Sequence, residues 1–186
     1  MADIWVLYMT SPETTEGLRF PIGKFDKSTI DPSRRAEYIR VIADLPGNVK
    51  AAVDGLTEDQ LDTPYRPGGW TVRQTVHHIA DSHINSYCRF KLALTEDTPT
   101  IRPYYEDRWA DLADSELPVA TSLAIIDGVH QRWVAMLNSL SDSDFEKKFN
   151  HPESGEWTLD RTLALYAWHS RHHTAHITTL RQREGW

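Results

Sequence analysis

Cysteine is almost missing from this sequence: a single Cys88 among 186 residues excludes an internal disulfide and any cysteine-rich zinc site. Lone on a helical stretch, Cys88 reads as a small packed hydrophobe. No long hydrophobic run is present either. No stretch approaches the ~20 apolar residues of a membrane span. The start, Met1 to Met9, carries Asp3 and too short an apolar run for a secretory signal. A cytoplasmic chain without a membrane partner is expected. Positive charge is short as well: 20 Lys and Arg against 27 Asp and Glu leave a formal net charge of -7, with the acids scattered and no basic stripe. A nucleic-acid partner is therefore not expected. Internal repeats and low-complexity segments are also missing.

What is there is ordinary globular usage, 40% hydrophobic and 25% charged over a length that suits one domain with a substantial core. A single domain over residues 1–186 is expected. Residues 1–30, punctuated by Pro12, Gly17, Pro21 and Gly23, read as an irregular, extended arm. Asp31-Pro32 opens a helix whose apolar stripe is Tyr38, Ile39, Ile42, Leu45, Val49, Ala52, Val53 and Leu56, and Pro46-Gly47 predicts a kink or a split in it. Thr57 to Gln60 has capping-box spacing and predicts a short turn of helix. A loop over 64–69 follows, and then a better capping box, Thr71 to Gln74, opens a helix to about Leu94. Its stripe is Val72, Val76, Ile79, His83, Tyr87, Phe90 and Leu94. A second face carries Gln74, Thr75, His78, Ser82 and Asn85, polar but uncharged until Arg89, which suits the wall of a polar cavity. Residues 95–120, with Pro99, Pro103 and Pro118, read as a long crossover holding a short helix near Tyr104 to Trp109. Helical spacing returns from Ser122 to Leu140, a brief turn starts at Ser141, and a loop over 152–155 leads to the last helix. Four long helices without alternating β-branched runs predict an all-α four-helix bundle.

The last helix, Thr158 to Arg183, holds the densest chemistry. Trp168-His169-Ser170-Arg171-His172-His173-Thr174-Ala175-His176 puts four of the nine histidines within eight positions. At ~100° per residue, His169 and His173 lie about 40° apart on the wheel and His176 within about 20° of His169. All three share the stripe of Leu165, Tyr166, Ile177 and Leu180, the face that must be buried. An imidazole there needs a hydrogen-bond partner or a metal. An i, i+4 histidine pair on one helical face presents two nitrogens to one ion. The alternative is a set of core histidines bonded to carbonyls and hydroxyls. A third ligand would come from a facing helix, and periodicity does not choose among His77, His78 and His83.

Two segments together, Arg-Pro-Gly-Gly-Trp-Thr-Val-Arg-Gln-Thr-Val-His-His-Ile-Ala-Asp-Ser-His over 66–83 and Trp-His-Ser-Arg-His-His-Thr-Ala-His over 168–176, resemble the DinB superfamily and, more narrowly, its YfiT-type metal-dependent hydrolases. The match extends over most of the chain, including the Phe-Pro-Ile-Gly arm and the closing Gly-Trp. The resemblance implies a DinB-like four-helix bundle, a homodimer, and one divalent metal ion per subunit held by His78, His169 and His173 and completed by water. It implies supporting or packing roles for His77, His83, His172 and His176. Many superfamily members carry an acid or Gln in parts of the last motif, where this chain has Ser170, Arg171 and His176, so those supporting roles do not transfer.

Three neutral imidazoles leave a metal's charge uncompensated, which makes it a good Lewis acid and brings the pKa of its water toward ~7. Hydrolysis of a small-molecule ester, amide or related bond is the leading expectation, with the metal-bound water as nucleophile. No residue identifies itself as the general acid; His176, His83 and Asp81 are the candidates. Thiol S-transfer, with the metal activating a low-molecular-weight thiol, is the alternative the resemblance allows. Arg66, Arg89 or Arg102 could hold a substrate carboxylate, and surface salt bridging is the plainer reading of each. A non-catalytic metal staple is the third reading, and a fourth ligand such as His176 would favour it. Imidazole ligation suits Zn, Ni, Cu and Fe, and zinc or nickel is expected.

Overall fold

A computed structural model describes residues 12–186. The expectations for Met1 to Met9 and for the first part of the arm lie outside the described residues.

The order of elements is α1 (Pro12–Arg19), α2 (Arg35–Val53), α3 (Glu58–Leu61), α4 (Val72–Thr95), α5 (Glu106–Ala110), α6 (Val119–Leu137), α7 (Asp142–Phe145), β1 (Lys148–His151), β2 (Gly155–Thr158) and α8 (Leu159–Glu184), with short 3-10 turns between some of them. Local chemistry accounts for the boundaries. Asp31 caps a 3-10 turn at Pro32–Arg34 by accepting from the Ser33 amide, and α2 follows directly. Thr57, Thr71 and Ser141 each close a reciprocal capping box at the start of α3, α4 and α7. Thr158 caps α8 by accepting from the Arg161 amide, and Gly185 ends it in the left-handed conformation (φ 73°) that a glycine adopts freely.

Four long helices make the bundle: α2 packs on α6 and α8, and α4 packs on the same two, so α2 and α4 sit across one diagonal, α6 and α8 across the other. The predicted stripes are the buried faces. Tyr38, Ile42, Leu45, Val49, Ala52 and Val53 of α2 are buried, as are Val72, Val76, Ile79, His83 and Phe90 of α4. Two apolar clusters fill the interior. One is built around Phe90, Trp133, Phe149, Leu159 and Leu163, the other around Leu45, Val49, Val76, Ile79, Ile126, Ile177 and Leu180. Between them along α4, α6 and α8 lies a polar layer that contains His83, His130 and His173.

Five expectations need correction. The segment before residue 30 is not wholly extended: α1 is helical, because Pro12 stands at its first turn and Gly17 at its end region is tolerated there. Pro46 does not split α2, which runs unbroken through it. The 152–155 loop is the tip of an antiparallel hairpin in which Phe149 pairs with Trp157. The segment 95–120 is not the crossover, since α4 and α6 are neighbours; the diagonals are spanned by 54–71 and 138–158. Cys88 is exposed and not packed.

Candidate metal centre

The loop over 64–71 delivers the first wall of the site. The Tyr65 amide donates to the Trp70 carbonyl and the Gly69 amide to the Arg66 carbonyl, so the chain doubles back within six residues. Gly68 takes φ +64°, and a Cβ on Gly69 would stand 2.7 Å from Cγ of Arg66, so both positions call for glycine. The turn lays the Trp70 ring over His78, with centroids 4.4 Å apart, and 6.2 Å from that of His173. It also stacks Tyr65 on His176 at 3.8 Å.

His78 comes from α4, His169 and His173 from consecutive turns of α8, and the structure brings the three together. Their candidate ligand atoms lie within 4.8 Å of one another. Nε2 of His78 stands 3.4 Å from Nε2 of His169, and the His169 and His173 rings are 4.3 Å apart. Burial pushes all three imidazoles below their ordinary pKa, His78 to about 4, with neighbouring imidazoles adding to the effect. They are neutral at pH 7 and carry free lone pairs.

These residues fit a divalent ion on three counts. The donor set is neutral nitrogen, which suits a borderline metal. Two donors 3.4 Å apart match the edge, about 3.3–3.4 Å, of a tetrahedron with metal–nitrogen bonds of about 2.05 Å. Nδ1 of His173 is buried without a hydrogen-bond partner, as are Nδ1 of His172 and His176 beside it, so unmatched imidazole nitrogens gather at this end of the site. A second grouping, His172, His173 and His176, shares His173. In it, Nε2 of His176 donates to the Arg19 carbonyl at 3.0 Å, and His172 stacks on Trp168 and Phe20 at 4.3 and 5.7 Å. His176 is not in the first group, and among the described residues no carboxylate or thiol joins either.

The remaining histidines have other duties. His77 points toward α6: its Nε2 donates to the Leu117 carbonyl at 2.9 Å, and Nδ1 accepts from the Ser122 hydroxyl at 2.7 Å. His83 lies behind His169 with its Nε2 3.2 Å from Nδ1 of that residue. His130, which periodicity did not single out, bonds His83 at 3.0 Å and the Ile42 carbonyl at 2.6 Å. Its position was readable: it falls at helical spacing between Ile126 and Trp133, in a stripe that is otherwise apolar.

The trio opens on a cavity of about 570 Å³ whose lining includes Ser82, Tyr104 and Tyr166 beside the histidines. The Tyr166 hydroxyl donates to the Ser82 carbonyl at 3.1 Å, and Oγ of Ser82 lies 3.2 Å from that hydroxyl and 3.4 Å from Nε2 of His169. Of the three arginines named from the sequence, Arg66 and Arg89 line the cavity and Arg102 does not; Arg19 lines it as well. Glu106, Asp107, His151 and Glu153 also line it, contributed by α5 and the hairpin, segments whose sequence reads as connections. Of the general-acid candidates only His176 faces the cavity. Asp81 lies elsewhere, with its carboxyl raised to about 6 by burial and by Asp114.

Known proteins similar to this chain carry names that refer to metal-dependent chemistry. A protein of Bacillus mycoides (strain KBAB4) is 58% identical over 170 residues, covering 91% of this chain and 98% of its own. A protein of Bacillus cereus (strain B4264) is equally similar, 58% identical with the same coverage. Both are named as metal-dependent hydrolases, with the activity marked in the name as unproven. Among solved structures, YfiT from Bacillus subtilis, described as a probable metal-dependent hydrolase with an unusual four-helix bundle topology, superposes with a TM-score of 0.87. It is 50% identical, and the match covers 91% of this chain and 99% of that one. The sequence profile of the DinB superfamily matches residues 42–177, nearly the whole bundle, and the chain belongs to that superfamily.

Proposed function

We propose that the protein is a metal-dependent hydrolase of a small molecule, with His78, His169 and His173 as ligands to one divalent ion, zinc or nickel, per subunit. The observation that carries this reading is the convergence of three neutral imidazoles from two helices on the floor of a polar cavity, with no fourth protein ligand in their group among the described residues. A closed structural site holds four protein ligands, whereas three leave room for solvent or substrate. An ion held there supplies Lewis acidity, polarising a carbonyl or phosphoryl oxygen and bringing the pKa of water toward about 7.

The chain's own residues do the rest. Trp70 shields one side of the His78 and His173 rings from solvent. The hydroxyls of Ser82 and Tyr166, next to His169, are placed to orient a water or a polar substrate atom. Arg19, Arg66 and Arg89 give the cavity cationic side chains that suit an anionic group on the substrate. Those arginines are also what favours the second reading, thiol S-transfer, because low-molecular-weight thiols commonly carry carboxylates. A homodimer, which the family resemblance implies, and a cytoplasmic location, which is the expectation from the hydrophobic pattern of the sequence, belong to the same proposal. Among the described residues no helix is long and apolar enough to cross a membrane.

The test is turnover by zinc- or nickel-loaded protein on a panel of small esters, amides and phosphoesters, each with and without added thiols, beside His173→Ala. Metal-dependent hydrolysis that needs no thiol and is lost in His173→Ala is expected. Turnover that appears only with a thiol would replace hydrolysis by transfer; hydrolysis unchanged in His173→Ala would remove the proposed site.

A further inference from the structure

We infer that His130 and His83 act as positioning residues that lock the tautomer of His169, through a one-way chain of hydrogen bonds from a backbone carbonyl of α2 to the candidate metal centre. The inference rests on the reading of His169 as a ligand through Nε2.

The chain starts at the Ile42 carbonyl, which can only accept. Nδ1 of His130 lies 2.6 Å from it and must therefore carry a proton. A neutral imidazole has one N–H, so Nε2 of His130 is left as an acceptor. Nδ1 of His83, 3.0 Å away, donates to it. By the same rule Nε2 of His83 is an acceptor, and Nδ1 of His169, 3.2 Å away, donates to that. Nε2 of His169 then has no proton, and this is the nitrogen 3.4 Å from Nε2 of His78. Each link follows from the one before, and the only fixed point is a carbonyl.

Two features keep the chain in this state. It is dry and uncharged: His83 and His130 are 0% and 1% exposed, and burial holds both imidazoles below their ordinary pKa. Among the described residues no carboxylate hydrogen-bonds any of the three rings, and at His130 burial outweighs the Ile42 carbonyl and the more distant charge of Asp127, which favour the imidazolium. Trp133 packs edge-on to His83 and His130 with centroids 5.8 and 5.9 Å away, and Tyr166 lies edge-on to His83 at 5.0 Å, which holds the rings in place. The carbonyl end cannot take up a proton, so the chain fixes a tautomer and does not conduct. Its effect opposes the preference of free imidazole for the Nε2–H form. A ligating histidine commonly has its second nitrogen oriented by a carboxylate or carbonyl; here the carbonyl acts at a distance, through two intervening rings on α4 and α6.

The test is long-range proton–nitrogen NMR on histidine-labelled, metal-free protein at neutral pH, together with zinc titration. In the wild type, His130, His83 and His169 should all show the Nδ1–H pattern. His130→Leu removes the acceptor for His83, and His83 and His169 should then shift toward Nε2–H, with zinc affinity falling about 10- to 100-fold. His130→Gln, whose amide oxygen can accept from His83, should restore the wild-type pattern at His169 and most of the affinity. A proton on Nε2 of His169 in the wild type overturns the inference, as does an unchanged tautomer at His169 in folded His130→Leu. If the tautomers are as stated but the wild type binds no zinc, the lock stands and the metal reading falls.

Discussion

A buried imidazole has two nitrogens to satisfy, and the histidines of this chain divide according to what their partners are. His77 uses both, one on the Leu117 carbonyl and one on the Ser122 hydroxyl, and it ties α4 to the segment that opens α6. His173 leaves Nδ1 unmatched and faces two other imidazoles. The two substitutions should therefore part company. His173→Ala is expected to abolish bound metal, while His77→Ala keeps the metal and lowers the melting temperature, since the Leu117 carbonyl and Ser122 hydroxyl lose their partner. Elemental analysis of both purified proteins decides the matter, and equal metal loss in the two would reject the assignment. The i, i+4 pair on α8 was legible in the sequence because an apolar stripe has no other use for so many imidazoles. His130 was not. A single histidine between Ile126 and Trp133 looks the same in sequence whether it meets a carbonyl in the core or steers a distant ring.

At the scale of elements, α4 is fastened at its start. Thr71 accepts from the Gln74 amide while the Gln74 side chain accepts from the Thr71 amide, and buried Arg73 bonds Asp62 and Glu58 at 2.7 and 2.5 Å. Removing the cap oxygen in Thr71→Ala should cost about 1 kcal/mol of stability, read by urea denaturation, with zinc affinity unchanged because His78 lies two turns further on. A cost near zero would mean that Arg73 alone sets the start. Capping boxes and long stripes were the legible part of the fold because each is a local rule repeated over many residues. The hairpin carried no such signal: its strands are four residues each, too short for an alternating pattern, and Pro152 and Gly155 dominated the reading. Its contribution to the cavity, His151 and Glu153, was hidden for the same reason. The connections also misled, since chain order says which helices are consecutive and packing alone decides which are neighbours.

For the whole molecule, the notable arrangement is a polar layer between two apolar clusters, which ties stability to pH. In the metal-free protein His130 has its pKa lowered to about 4 by burial, from an ordinary value of 6.5. The unfolded chain therefore takes up the proton first, and the stability this group contributes is whole above pH 6.5 and is lost as pH falls toward 4. Asp81, raised from 3.8 to about 6 by burial and Asp114, works the other way over an overlapping range: its penalty is full above pH 6 and fades as pH falls. Equilibrium unfolding of metal-free protein between pH 7 and 4 should show a net acid loss that is shallower in His130→Gln and steeper in Asp81→Asn. The same slope in all three proteins would mean that neither group differs between the folded and unfolded states. On the proposed reading, an ion held by His78, His169 and His173 would link α4 to α8 and draw a native-only ligand into the stability of the bundle. Calorimetric titration of zinc into metal-free wild type, and into a chain carrying His78→Ala, His169→Ala and His173→Ala together, tests this most directly. The account predicts tight uptake of one ion per chain by the wild type and none by the triple variant; equal uptake by both, or none by either, would contradict it.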